Sequence, residues 1–294
     1  MDLNTFLVTV YCQIDDWLKT QPRVRQRGPQ PVLADSEVLT MEVVGAYLGI
    51  ATDQGLYRHF CRDYAEWFPR VRQVTRVTFV RQAANLWQVK ARLWQHLLRQ
   101  VAFDPAVSVV DSLPVPVCRL GRAYRARRLR EWSAWGYDDG ARQRFFGLRA
   151  HVRICWPGVI VGLALRPADV HDRWAAEDLL ETAHGWVLGD TNYWSPLLRD
   201  DLAEHGAWLL APPKTSVKRD RHPWPAWLTQ TRRRVETVIG QLVERFHAKR
   251  VWARDPWHLC SRWLRMLLSH TFAVLLAQQA GLDSPLQFAR LLDD

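Results

Sequence analysis

Lysine is scarce in this sequence of 294 residues: Lys19, Lys90, Lys214, Lys218 and Lys249 are five of its 40 basic side chains, and the rest are arginines. Cysteine is sparse too. Cys12, Cys61, Cys118, Cys155 and Cys260 are widely spaced, with no CxxC or Cys/His ligand spacing, so neither a zinc site nor a disulfide framework is indicated. The start, Met1-Asp2-Leu3-Asn4, lacks the positive charge that opens a signal peptide. The most apolar stretch, Met266 to Ala277, is too short to span a bilayer and follows Arg262 and Arg265. Internal repeats and low-complexity tracts are missing as well. These absences point to a soluble protein of a reducing compartment.

What is present begins with charge. Forty Lys+Arg against 30 Asp+Glu leave a formal net charge of +10, and 48% hydrophobic residues are ample for a buried core. At roughly 100–200 residues per domain, the length suits one large domain or two modest ones. Arginine presents a planar fork to phosphate oxygens, so its excess suits a polyanionic partner, although a genome with biased composition produces the same excess.

From Leu3 to about Val101 the pattern is helical. Phe6, Val10, Ile14 and Leu18 recur at four-residue steps. A Pro/Arg-rich joint, Gln21 to Pro31, follows. Ser36 reads as the N-cap of a helix through Leu48 closed by Gly49, and Asp53 starts a second reaching about Tyr64. This pair is a helix-turn-helix or a packed helical subdomain, and without a recognition-helix signature the second reading is preferred. A longer helix is expected over Val77 to Gln100.

At Asp104 the period changes. Ala106 to Val110 reads as a buried strand ending in Asp111. Phe146 to Ile154 alternates apolar with polar residues, and Val159 to Leu165 follows a Trp156-Pro157-Gly158 turn, which makes a hairpin. Asp172 caps a helix to about His184. Trp186 to Gly189 is a fourth strand ending in Asp190, then come a helix over Pro196–Glu204 and a strand over Ala207–Ala211. A helix from Gln230 to His247 carries Glu236, and an amphipathic helix spans Trp257 to Gln279. Three strands in a meander, then a strand reached through a helix, place the fourth strand parallel to the first on its free side. Open α/β sheets bind ligands at strand C-termini beside such a switch. Asp111 and Asp190 therefore arrive side by side, with Glu236 on a helix crossing that end. Three clustered carboxylates need a counter-ion, and oxygen donors suit Mg²⁺ or Mn²⁺. Two such ions roughly 3.5–4 Å apart clamp the attacking and leaving oxygens of a phosphoryl displacement.

The blocks Val109-Val110-Asp111-Ser112-Leu113-Pro114-Val115-Pro116-Val117-Cys118, Gly147-Leu148-Arg149-Ala150-His151, Gly189-Asp190-Thr191-Asn192-Tyr193 and Arg232-Arg233-Arg234-Val235-Glu236-Thr237 occur in that order. With the run Leu33 to Thr40 ahead of them, the sequence resembles DDE transposases of bacterial insertion sequences along essentially its whole length. The resemblance implies an α/β fold: an RNase H-like mixed sheet with flanking helices, preceded by an all-helical N-terminal domain. It implies Asp111, Asp190 and Glu236 as the catalytic, metal-binding triad, with two Mg²⁺ or Mn²⁺ ions. The implied reaction is cleavage at the element ends and joining of the freed 3′-hydroxyls to target DNA. The implied partners are double-stranded DNA (terminal inverted repeats and target) and a second copy of the chain, because two ends must be joined. The implied location is the bacterial cytoplasm at the nucleoid, with no membrane. Arg232 matches the basic residue of the signature helix. Thr191 stands where relatives often carry Lys, and Thr229 and Val243 stand where some carry Tyr and Lys. The expected division is a helical domain over 1–103 with a possible role in binding DNA ends, a catalytic core over 104–255, and a C-terminal helical segment over 256–294 packing on that core. About 25 residues separate Ala211 from Glu236, too few for a large inserted domain. Alternatives are an RNase H-like nuclease or resolvase, and a non-catalytic DNA-binding protein derived from a transposase.

Charge is concentrated around these acids. Segment 119–144 carries a net +5 and segment 214–255 a net +7. Arg119, Arg122, Arg125, Arg127, Arg128, Arg130, Arg149, Arg232 and Arg233 are the expected DNA contacts. Trp132, Trp135, Trp224 and Trp227 interleave with them; the core is the preferred place for these, base stacking the other. His151 either faces the site or is a plain strand histidine. Tyr193 is rejected as a nucleophile, because no His-x-His site and no recombinase pattern of Arg and His accompanies it.

Overall fold

The four-residue apolar rhythm at the N-terminus builds α1 (Leu3–Lys19), capped by the Asp2 carboxylate, which accepts from Thr5 N–H at 2.7 Å. The computed structural model describes residues 1–22, 28–212, 226–287 and 290–292, so part of the Pro/Arg-rich joint and Trp224 lie outside it. Two compact units emerge: 1–102 with 244–248 and 252–294, and 103–243 with 249–251.

In the first unit, α2 (Asp35–Tyr47) begins one residue before Ser36, and the Glu37 carboxylate accepts from Ala34 N–H at 2.6 Å. α2 is buried along most of its length, as a packed helical subdomain requires. Thr52 caps α3 (Asp53–Asp63). The single helix expected over 77–100 is two helices, α4 (Arg76–Asn85) and α5 (Trp87–Leu98). They break at Leu86 (φ −82°, ψ 9°), a fully buried residue that follows Asn85, a poor helix former. Lys90 of α5 is wholly buried; it pairs with Glu42 of α2 and donates to Ser261 Oγ at 2.7 Å. Burial of both charges is tolerable only because each meets the other.

The second unit is a mixed sheet. β1 (Asp104–Pro116), β2 (Ala134–Asp138), β3 (Gln143–Trp156), β4 (Val159–Pro167), β5 (Gly185–Leu188) and β6 (Ala207–Leu210) are joined in the order β2-β3-β1-β5-β6, with β4 also on β3. β3 runs antiparallel to β1, β2 and β4, whereas β5 is parallel to β1 and to β6. α6 (Asp172–Leu180) and α7 (Pro196–Glu204) make the crossovers, and α8 (Ala226–Glu244) follows β6. This is the expected α/β arrangement, a mixed sheet with flanking helices after a helical N-terminal region. β2 is an addition that the sequence did not announce, because Ala-Trp-Gly-Tyr-Asp is short and only half-buried.

β1 runs past Asp111 to Pro116, longer than its apolar run. Beyond Val109 it has lost β5 as a neighbour and pairs only with β3. Val117 N–H donates to Phe146 O, so alternation turns the nitrogens of Pro114 and Pro116 toward the unpaired edge, where no donor is needed.

α9 (Pro256–Gln279) differs most from expectation. Placed by sequence against the catalytic core, it packs instead with α2, α4 and α5 in the first unit. The reason is its composition: from Met266 to Ala277 every residue is buried, so it is a central helix rather than an amphipathic one.

Gly147 shows how tightly β1 and β3 meet. A Cβ there would lie 2.3 Å from Val115 O and 3.0 Å from Pro116 Cα, both backbone. Gly147→Ala is expected to lower the unfolding free energy by about 2–4 kcal/mol. Urea denaturation of the two proteins measures it; an unchanged midpoint would show that the strands can separate at little cost.

Candidate active site at the ends of the central parallel strands

The site follows from register. The parallel β1–β5 ladder ends at Val109 opposite Leu188. Asp111 and Asp190 each stand two residues further on, which brings the two carboxylates to the same level on neighbouring strands. Val110 packs into the cluster under α6 and α7 with Val187 and Tyr193, so Asp111, its neighbour, points to the other face.

Each carboxylate is oriented by its own turn. Asp111 Oδ1 accepts from Ser112 N–H at 2.7 Å. Asp190 heads a tight turn in which Asn192 donates its N–H to Oδ1 at 2.9 Å and its amide to Oδ2 at 3.2 Å. Gly189 leaves room for the turn, since a Cβ there would meet the Tyr193 Cβ at 2.9 Å. Burial, with repulsion from Asp190 and Asp172, pushes the Asp111 carboxyl up to about 6, and Arg232 of α8 works against that shift.

A further acid, Asp172, is felt by this pair from the opposite face of the sheet. Asp172 was read as a helix cap, but the N-cap of α6 is His171, whose Nδ1 accepts from Arg173 N–H. Asp172 is buried, and burial with repulsion from Asp190 and Asp139 raises its carboxyl to about 6 against the pull of Arg149. Arg149 Nε lies 3.9 Å and His151 Nδ1 3.8 Å from Asp172 Oδ1. Arg149 also donates to Ser112 Oγ at 3.3 Å and to Tyr137 O at 2.7 Å, so its guanidinium is engaged inside the protein. His151 is buried, its Nδ1 lies 3.3 Å from Tyr193 Oη, and burial lowers it to about 4, so it is neutral at pH 7. Tyr193 is fully buried; burial and the three aspartates hold its hydroxyl well above its ordinary range, which removes it as a nucleophile. The sequence signal for Asp172 was faint: a His-Asp pair opening a helix after a strand.

Glu236 lies exposed on α8, one turn beyond Arg232. Among the described residues, no group of three or more His, Cys, Asp or Glu stands close enough to hold a metal ion. Asp111 and Asp190 nevertheless fit a hard divalent cation by donor chemistry, since they offer carboxylate oxygens under an uncompensated negative charge.

Of the nine expected DNA contacts, Arg119, Arg122, Arg125, Arg127, Arg128 and Arg130 are exposed on the connection after β1 and make no side-chain hydrogen bond or ion pair among the described residues. Arg233 is exposed and Arg232 half-buried. The tryptophans depart from the preferred core placement: Trp132, Trp135 and Trp227 are exposed. The beginning of the second basic segment, up to residue 225, is outside the described residues.

Residues 102–272 match the family model described as the transposase DDE domain. Among solved structures, the cryo-EM structure of the piggyBac transposase synaptic complex with hairpin DNA aligns over 99% of this chain and 79% of that chain, at 10% identity and a TM-score of 0.46. The crystal structure of a pre-cleavage Mos1 transpososome aligns over 90% of this chain and 84% of that chain, at 12% identity and a TM-score of 0.21. No curated protein matches the chain.

Because the Asp111 and Asp172 carboxyls hold their protons to about 6 in the folded chain against 3.8 otherwise, the folded state binds more protons in that window. Stability therefore falls as pH rises through it. Asp111→Asn should be more stable than wild type by about 1–2 kcal/mol at pH 8, an advantage that vanishes below about pH 4. Denaturant titrations at both pH values measure it, and a variant no more stable at pH 8 would contradict the shift.

Proposed function

The chain belongs to the transposase DDE-domain family, and from that premise we propose that it cleaves the ends of an insertion sequence and joins the freed 3′-hydroxyls to target DNA. The observation that carries this reading is the level placement of Asp111 and Asp190 at the ends of adjacent parallel strands, inside the span that matches the family.

Asp111, Asp190 and Glu236 are the proposed catalytic residues. Asp111 and Asp190 would hold divalent cations, Mg²⁺ or Mn²⁺. Bound there, such ions supply charge neutralisation and an activated oxygen nucleophile for in-line phosphoryl transfer. Glu236 joins from α8, where the helical repeat sets it on the same side as Arg232, the residue whose charge reaches Asp111. Asp172 and Arg149 act as positioning residues: Arg149 ties Ser112, next to Asp111, to Asp172 at the start of α6. The six exposed arginines after β1 bind phosphates of double-stranded DNA, with Trp132 and Trp135 beside them. Joining two ends calls for a second copy of the chain, so a homodimer is the proposed working form.

Replacing Asp111, Asp190 or Glu236 singly by Ala should lower end cleavage in Mg²⁺ by at least about 10³-fold, with DNA binding kept. Cleavage of a labelled terminal-repeat duplex and a mobility shift on the same preparation read both properties. Substantial cleavage by any one variant removes that residue from the triad.

A further inference from the structure

The helical unit has a cavity of about 670 Å³ at the starts of α3, α4 and α9, away from every residue assigned a role above. Its wall carries Arg76, Arg81 and Arg254, all exposed and without a side-chain hydrogen bond or ion pair among the described residues. Two carboxylates also line it, and both are already engaged. Asp53 accepts from Arg265 at 2.8 Å, and Asp255 caps α9 through His258 N–H at 3.0 Å and holds His258 Nδ1 at 2.7 Å. The three arginines are thus uncompensated cations around a concave surface, which attracts an anion.

The same wall is apolar in part. Trp257 is 47% exposed and Val77 57% exposed, beside Val80. A flat indole next to free guanidinium groups suits a ligand with an aromatic ring and a phosphate, the combination by which proteins hold unpaired nucleotides. An acidic peptide would satisfy the arginines but leave the indole without a stacking partner. The volume falls within the roughly 300–1,000 Å³ of small-ligand pockets, enough for a nucleotide and too little for a duplex.

We propose that this cavity takes one unpaired nucleotide of the DNA on which the chain acts, its base against Trp257 and Val77 and its phosphate on Arg76, Arg81 and Arg254. The inference rests on the DNA-acting function proposed above.

The test uses the full chain and fluorescence anisotropy with two probes: a blunt terminal-repeat duplex, and the same duplex with a short single-stranded dT extension. Wild type should bind the extended duplex more tightly, by about 5- to 20-fold. Trp257→Ala should remove most of that preference and leave the blunt duplex unaffected. Arg76→Gln and Arg254→Gln should each reduce the salt slope on the extended duplex by about one. All three side chains are exposed, and unchanged thermal melting verifies the fold. Equal affinity of wild type for both probes, or an intact preference in all three variants while end cleavage persists, overturns the nucleotide site alone. Competition by polyglutamate but not by oligo-dT also overturns it, in favour of an acidic peptide. A wild type that binds and cleaves neither duplex overturns the DNA-acting function and this site with it.

Discussion

The short parallel ladder between β1 and β5 is the contact on which the rest of the site depends. It joins only Val107, Ser108 and Val109 to Trp186, Val187 and Leu188, yet its register sets where both strands stop pairing. Past that point the strands no longer exchange hydrogen bonds, and the first polar side chains on each, Asp111 and Asp190, share one level. Slipping the ladder by one residue would turn the Asp111 side chain relative to Asp190 and dissolve the pair. Burial first, and repulsion between the acids second, shift the Asp111 and Asp172 carboxyls upward, and a cation is suited to relieve the repulsion.

Around that ladder the local sequence is arranged for closeness. Gly147 lets β3 meet β1, Gly189 lets Tyr193 fold under Asp190, and Asn192 holds both oxygens of Asp190. Arg149, Asp172 and His151 lie on the face opposite Asp111, by the alternation that pairs Ser112 with His151 across the ladder. They brace the strand ends from behind: Arg149 reaches Ser112, and His151 meets Tyr193. The motif residues around the aspartates thus have structural tasks of their own, apart from any contact with DNA.

Much of this architecture was legible in the sequence. Period-two alternation marked β3, a β-branched run marked β1, and a helix between apolar runs implied a parallel β5, so the placement of Asp111 beside Asp190 followed from topology rules. Where the reading failed, tertiary context had overridden local pattern. Pro114 and Pro116 disguised the continuation of β1, because their tolerance depends on β5 ending early. α9 looked one-sided until its neighbours closed over it. Asp172 passed for a cap because local sequence does not reveal which face of the sheet a helix start meets. The exposed tryptophans had no marker at all, since Trp is as common in cores as on interfaces.

The account stands on Asp111 and Asp190 acting as one cation-binding pair. Titrating the full chain with Mn²⁺ and following the free ion by electron paramagnetic resonance tests that directly, without a DNA substrate. Saturable binding by wild type that weakens at least about 10-fold in Asp111→Asn and in Asp190→Asn is the predicted result. Binding that is unchanged in the double variant would contradict it.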